Sequence, residues 1–213
     1  TWRDDGVFWA PNLYHTHECP DYFKMGDWWY LVFSEYSDQY ATRYVMAPTP
    51  NGPWHMQGDD VFDGRAFYAA KTASDGAGRY LFGWLPTREG NKDAGKWQWG
   101  GNLVVHQLVQ QSDGTLGCKL PESLNFIWQT AAEYPGAAEL QNAEGRQALR
   151  LFAPQCGAYR VDLTLRFKEG TRQFGVYLGQ DEKSKAGYKY EFLPEEGLLE
   201  FRKMEWISNE KGI

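Results

Sequence analysis

Residue types and spacing suggest chemistry most directly in the segment His17-Glu18-Cys19-Pro20-Asp21. A carboxylic acid stands just ahead of a proline-stiffened turn, and an aromatic-rich run follows from Tyr22 to Ser34. A carboxyl held in this way can donate a proton to a poor leaving group, and glycosidic oxygens are leaving groups of that kind. The task requires Glu18 to keep its proton near neutral pH, which burial against apolar rings or a neighbouring carboxylate promotes. Cleavage with retention also needs a second carboxyl about 5 to 5.5 Å away. No segment of the 213 residues supplies an evident partner motif. Judged by its sequence neighbours alone, Glu18 also fits a surface glutamate at a strand start.

Cys19 opens a second possibility. If the segment is extended, His15, His17 and Cys19 share one face and Glu18 points the opposite way. Such a face could bind zinc, or pair a thiol with an imidazole base. No fourth ligand or activating carboxylate recurs at suitable spacing, which favours Cys19 as a small, soft contact in a pocket, with no metal and no cofactor. Gly76-Ala77-Gly78 lacks the third glycine of a dinucleotide loop and serves a hairpin turn.

The elements around these residues read as strands and tight turns. Tyr22 to Met25 and Trp28 to Phe33 flank Gly26-Asp27, and the second run is apolar on both faces, as in a strand covered on both sides. Phe67 to Thr72 and Arg79 to Leu85 join through Asp75-Gly76-Ala77-Gly78, and Leu103 to Gln110 turns at Ser112-Asp113-Gly114-Thr115 into Leu116 to Leu120. Three hairpins of one design within 125 residues suggest blades of a propeller. From Ala138 onward the texture changes. Tyr159, Val161, Leu163, Leu165 and Phe167 alternate with polar residues, Phe174, Val176 and Leu178 repeat the pattern, and so do Tyr188, Tyr190 and Phe192. That is the pattern of an antiparallel sandwich with one wet face. The fold class is therefore all-β, with a partial propeller domain over 1–125, a linker over 126–137 and an incomplete β-sandwich over 138–213.

Composition narrows the partners. With 42% hydrophobic residues the chain can pack a core, and ten tryptophans suit either core filling or stacking on sugar faces. The net charge of −6, with no basic run, argues against nucleic acid and anionic membrane surfaces. Cys19, Cys118 and Cys156 are too sparse and odd in number for a disulfide framework, which favours a reducing, cytoplasmic location. The start at Thr1 and the stop at Ile213 read as those of a piece entered mid-protein.

Five segments then fall in order: Phe8-Trp9-Ala10-Pro11-Asn12, Thr16-His17-Glu18-Cys19-Pro20-Asp21, Phe67-Tyr68-Ala69-Ala70-Lys71-Thr72, Phe82-Gly83-Trp84 and Trp97-Gln98-Trp99-Gly100-Gly101. Together they resemble successive landmarks of glycoside hydrolase family 32, the invertase and fructanase group, over residues 7 to 125. Glu-Cys-Pro-Asp is the specific element among them. The resemblance implies a five-bladed β-propeller with an appended sandwich, acting on terminal β-fructofuranosides such as sucrose, sucrose phosphate, inulin or levan with retention. It assigns the acid/base role to Glu18 and makes Tyr68 and Trp84 pocket walls, with Trp9 and Trp99 as weaker candidates. Cys19, Asp21 and Arg88 complete the expected substrate-binding set.

The chain departs from the family pattern in several places. The family's nucleophile aspartate, in a Trp-Met-Asn-Asp-Pro-type motif, and its stabilising aspartate, in Arg-Asp-Pro, are both missing from the 213 residues. Arg3-Asp4-Asp5 lacks the proline and lies only 14 positions before Glu18, too close to serve. Ala66 stands where aspartate often precedes Phe-Tyr-Ala, and Arg88 where an aromatic or amide residue is common. Arg88 could hold an anionic or strongly hydroxylated substrate, or be a solvated loop charge among Glu89, Lys92 and Asp93. The expectation is thus a β-fructofuranosidase piece whose nucleophile lies outside the chain and which is inactive alone. A non-catalytic fructan-binding or structural remnant is the alternative, and a transfructosylating relative a third reading.

Overall fold

The computed structural model describes residues 1–92, 94–128, 134, 136–141, 147–152, 159–179 and 186–204. Asp93 and Cys156 lie outside the described residues, as does part of the expected linker. The chain divides into two compact units, Thr1–Phe126 and Ile127–Ile213.

Unit 1 holds two four-stranded antiparallel meanders. The first runs β1 (Thr16–Met25), β2 (Trp28–Tyr36), β3 (Thr42–Ala47) and β4 (His55–Phe62) in that spatial order. The second repeats the design with β5 (Tyr68–Ser74), β6 (Arg79–Arg88), β7 (Trp97–Gln110) and β8 (Leu116–Lys119). The architecture is all-β, and two consecutive meanders of this kind are consistent with propeller blades. All three hairpins expected from the turn chemistry form, as β1–β2, β5–β6 and β7–β8. Gly26 at the first turn has φ of 57°, a left-handed conformation open to glycine at no steric cost.

β2 is buried on both faces, as its uninterrupted apolar run requires. Tyr30 and Val32 join Phe23, Tyr44, Phe62, Phe67, Ala70, Leu81 and Leu108 in the main core, which fills the space between the two sheets. Leu31 and Phe33 face the other way and are covered by Trp9, Tyr14 and Trp54. Polar cross-links fix one sheet on the other. Gln110 of β7 donates to the Met25 carbonyl at 2.7 Å and to Tyr30 Oη at 2.6 Å, while Tyr44 Oη accepts the Leu116 N–H at 2.9 Å.

Unit 2 contributes a three-stranded antiparallel meander, β9 (Phe174–Leu178), β10 (Gly187–Leu193) and β11 (Leu198–Met204). Phe174 stacks on Phe192 with ring centroids 4.8 Å apart, the cross-strand pair that the alternating pattern anticipates. The segment 159–167 differs from expectation. Its apolar residues alternate correctly, yet it is not a strand, and Val161, Leu163, Leu165 and Phe167 are all exposed. Alternation specifies which face is apolar, but a strand also needs a neighbour to pair its backbone, and no described segment pairs with this one.

Candidate functional site

The first strand of each unit 1 sheet breaks in the same way. In β1 the register passes from Glu18 opposite Ser34 to Asp21 opposite Val32, so one extra residue is inserted. In β5 it passes from Tyr68 opposite Trp84 to Lys71 opposite Phe82, again with one extra residue. The residue after each break, Cys19 and Ala69, has a positive φ, of 51° and 53°. A non-glycine residue in this region is uncommon, and bulges of this kind re-aim the side chain beside them. Glu18 and Tyr68 therefore occupy equivalent places, each just before a bulge in the opening strand of its sheet. The bulge also upsets the even alternation that would have set His15, His17 and Cys19 on one face.

The two equivalent residues meet. Tyr68 donates its hydroxyl hydrogen to Glu18 Oε2 at 2.9 Å, and Thr16 donates to Oε1 at 2.9 Å. Tyr68 is buried and Glu18 half-buried. Burial pushes the Tyr68 hydroxyl well above its ordinary value, and the adjacent Glu18 carboxylate adds to the shift, so Tyr68 is a fixed proton-bearing donor. A hydroxyl relay holds its bulge in place. Ala69 N–H donates to Ser34 Oγ at 2.8 Å, Ser34 meets Thr42 Oγ1 at 3.1 Å, and Thr42 donates to the Phe67 carbonyl at 2.8 Å. Since the Thr42 hydrogen goes to Phe67, Ser34 is the donor to Thr42, and every group in the relay is satisfied.

Asp21 points to the neighbouring sheet. Its Oδ2 accepts the Thr72 N–H at 2.7 Å, while Lys71 Nζ donates to the Pro20 carbonyl at 2.5 Å. These bonds come from adjacent residues at the end of the β1 bulge and tie it to β5. Cys19 is half-buried with a free thiol. Among the described residues no group of three or more histidine, cysteine, aspartate and glutamate side chains is placed to hold a metal ion.

An aromatic wall stands beside the carboxyl. Trp84 and Trp99 meet edge to face with centroids 4.6 Å apart, and Tyr68 lies 5.9 Å from Trp84 and 5.1 Å from Trp99. Tyr40 closes the group, 5.1 Å from Trp99 and 6.3 Å from Tyr68. Trp99 reaches this position because β7 carries two residues more than β6 at one point, where Pro86 pairs with Gly101 and Thr87 with Gln98. Gly100 has φ of 87° within that bulge, and a Cβ on Gly101 would lie 1.9 Å from the Leu85 carbonyl oxygen, so both glycines are required. Trp99 keeps 57% of its surface exposed, which leaves a ring face open to a ligand. Tyr40 had no signal in the sequence, since it sits in the β2–β3 connection and is brought in only by folding.

The far side of β1 and β2 holds a charged cluster that sequence reasoning also missed. Glu35, opposite His17 in the register, is fully buried, with Arg43 Nε 3.8 Å from its Oε1. Arg43 Nη1 binds Asp60 at 2.6 Å. His17 is packed by Phe33, Trp9 and Tyr14, and its burial holds the imidazole below its ordinary value against the opposing pull of Glu35. Three carboxylates of the first sheet thus have structural duties: Asp21 accepts a backbone N–H, and Glu35 and Asp60 flank Arg43.

Two expected site residues stand apart: Trp9 packs on Phe33 and His17 on the other face of the first sheet, and Arg88 lies at the end of β6. The Arg88 guanidinium lies 3.7 Å over the Trp97 ring, and Nη1 donates to the Gly95 carbonyl at 3.0 Å. It is therefore a held group, not a solvated loop charge. Two cavities are described in unit 1, one of about 270 Å³ between β4 and the β7–β8 turn and one of about 240 Å³ beside Arg88, and Glu18 lines neither. The carboxyl is joined to the aromatic group through its hydrogen bond from Tyr68.

Comparison with known proteins gives one relevant likeness. No family model matches the chain. The chain is 22% identical over 208 residues to the sucrose-6-phosphate hydrolase of Escherichia coli, covering 87% of this chain and 42% of that protein. The chain thus spans less than half the length of that relative. A solved glycoside hydrolase is 21% identical, with a TM-score of 0.38 over 54% of this chain and 27% of its own, a likeness too slight to bear on the fold. No described helix is long and apolar enough to cross a membrane. The sequence likeness leads, at low identity, to the same glycoside hydrolase family 32 group that the Glu18–Asp21 landmark resembles.

Proposed function

We propose that this chain supplies the acid/base half of a retaining glycoside hydrolase that cleaves terminal β-fructofuranosidic bonds. The observation that carries the reading is the Glu18 carboxyl, oriented by Tyr68 and Thr16 at the foot of an aromatic wall. In this reading Glu18 protonates the glycosidic oxygen as the bond breaks and then removes a proton from the attacking water. Trp84, Trp99 and Tyr40 offer ring faces to the C–H groups of the sugar, and Cys19 lies at the pocket edge beside the acid. The carboxylate that attacks the anomeric carbon belongs to sequence outside this chain, since the family's nucleophile motif is missing from the 213 residues, Asp21 and Asp60 are otherwise engaged, and Glu35 lies with His17 on the other face of the sheet. Sucrose is the simplest substrate of the class, and the E. coli relative carries a phosphorylated sucrose in its name. The propeller count of five, the sandwich and a cytoplasmic location belong to the same proposal, the last on the sparse cysteines of which Cys19 and Cys118 are unpaired.

The test is Glu18→Ala in the complete protein, assayed on sucrose and on a fructoside with an activated leaving group. Sucrose turnover should fall by about 10² to 10⁴, with the activated substrate much less affected because it needs little protonation. Equal losses on both substrates would refute the acid role.

A further inference from the structure

Two buried hydroxyls stand where the sheets of unit 1 meet beside Glu18. Ser34 of β2 lies opposite Glu18 at the last register position before the β1 bulge, and Thr42 of β3 lies opposite Ser34. Both residues are fully buried. A hydroxyl in such a place gives up its bonds to water and must recover them from protein groups. The groups that these two take are the backbone atoms on either side of Tyr68. Ser34 Oγ accepts the Ala69 N–H at 2.8 Å, and Thr42 Oγ1 donates to the Phe67 carbonyl at 2.8 Å. The 3.1 Å bond between the two hydroxyls closes a clasp around the residue. Tyr68 is thus held through its backbone from the first sheet, and its own hydroxyl reaches back to Glu18, the residue opposite Ser34.

The second sheet shows that the hydroxyl pair is not a general requirement of the meander. Its equivalent register positions, opposite Tyr68 and one strand further on, hold Trp84 and Leu103. Neither carries a hydroxyl, although β5 has the same kind of bulge as β1. Of the two sheets, only the one that bears the acid has the clasp. The φ of 53° at Ala69 gives the clasp its task. A non-glycine residue keeps a left-handed conformation only where its surroundings hold it there, and Ser34 is the side chain bonded to the Ala69 N–H. Without that hold, β5 is free to relax toward ordinary extended backbone, which re-aims the Tyr68 ring away from the carboxyl.

We propose that Ser34 and Thr42 are positioning residues for Glu18: acting through the backbone on either side of Tyr68, they set the phenol that orients the acid. The inference rests on the glycosidase reading of Glu18 and extends it to side chains that bond to the neighbours of Tyr68 instead of the carboxyl. It is tested in the complete protein with Thr42→Val, which keeps the shape and removes the hydroxyl, and Thr42→Ser, which keeps the hydroxyl. On sucrose, Thr42→Val should lower kcat by about 3- to 10-fold, the effect of one neutral hydrogen bond, with KM little changed and Thr42→Ser close to the wild type. A fructoside with an activated leaving group should lose less than about twofold, because it needs little protonation. Since the hydroxyl acts through Tyr68, Thr42→Val combined with Tyr68→Phe should be no slower than Tyr68→Phe alone. Wild-type kcat in Thr42→Val, equal losses on the two substrates, or losses that multiply in the double variant overturn the proposal. Ser34→Ala adds no bulk and carries the same comparison if Thr42→Val does not fold. A crystal structure of either variant gives a readout that needs no turnover: Tyr68 Oη should leave hydrogen-bond distance of Glu18, and an intact bond overturns the proposal. Equal losses in Glu18→Ala count instead against the glycosidase reading and leave that structural readout in force.

Discussion

Tyr68, the residue before the bulge of β5, hydrogen-bonds through its hydroxyl to Glu18, the residue before the matching bulge of β1. The two sheets are joined at the carboxyl proposed to do the chemistry, and the joint is made by equivalent positions. The shared device explains how a half-exposed glutamate is kept in one orientation: its own strand is kinked beneath it, and a buried phenol from the next sheet holds one oxygen.

Tyr68→Phe keeps the ring that packs on Trp84 and Trp99 and removes only the donor. In the complete protein the change should lower kcat by about 10-fold, the effect of one lost hydrogen bond to a charged group, with a smaller change in KM. The native Tyr68 hydroxyl is held above its ordinary value, so it keeps its proton well beyond neutral pH and contributes no limb to the pH–rate profile there. Steady-state kinetics on sucrose check this, and wild-type kcat in Tyr68→Phe would show that the bond does not orient the acid.

Asp21 was expected to touch substrate, and its bond to the Thr72 N–H gives it a different duty. If that duty is its main one, Asp21→Ala leaves a half-buried N–H unpaired and should destabilise the fold by about 1 to 3 kcal/mol. Asp21→Asn retains an acceptor and should lose less. Denaturant midpoints of the two variants measure the difference. A KM for sucrose that rises sharply in a variant of unchanged stability would return Asp21 to the substrate.

The sequence announced the hairpins because each is closed by its own turn residues: Gly26-Asp27, Asp75-Gly76-Ala77-Gly78 and Ser112-Asp113-Gly114-Thr115 all sit between apolar runs. β3 and β4 were not legible in that way. Thr42–Ala47 is almost wholly buried, with too little alternation to separate a strand from any short apolar run, and β4 carries the polar run Gln57-Gly58-Asp59-Asp60. The bulges at Cys19 and Ala69 are invisible in composition, since neither residue is a glycine, and they decide where Glu18 and Tyr68 point. Tyr40 and Trp99 enter the site by long-range packing, which no local pattern reports. Glu35 carried a faint signal, a carboxylate closing the apolar run of β2, whose meaning became clear only when Arg43 was found beside it. The 159–167 segment shows the opposite failure, in which a clear local pattern lacked the neighbour that would have made it a strand.

His17 makes stability depend on pH, with a sign fixed by its surroundings. The ring lies among Trp9, Tyr14 and Phe33, and its Nε2 is buried without a hydrogen-bond partner. Burial favours the neutral imidazole, Glu35 pulls the other way, and burial dominates, so the native state holds its proton less tightly than the ordinary value of 6.5. The unfolded chain therefore takes up a proton first as pH falls. The contribution of His17 is complete above about pH 6.5 and is lost as the pH drops below that toward the native value. The thermal midpoint of the wild type should fall between pH 7.5 and pH 5.5, before most carboxylates titrate. His17→Phe places an apolar ring in the same aromatic setting and has no proton to gain, so its midpoint should change less over that window and exceed the wild type's at pH 5.5. Parallel pH profiles for the two proteins would show that another group governs the transition.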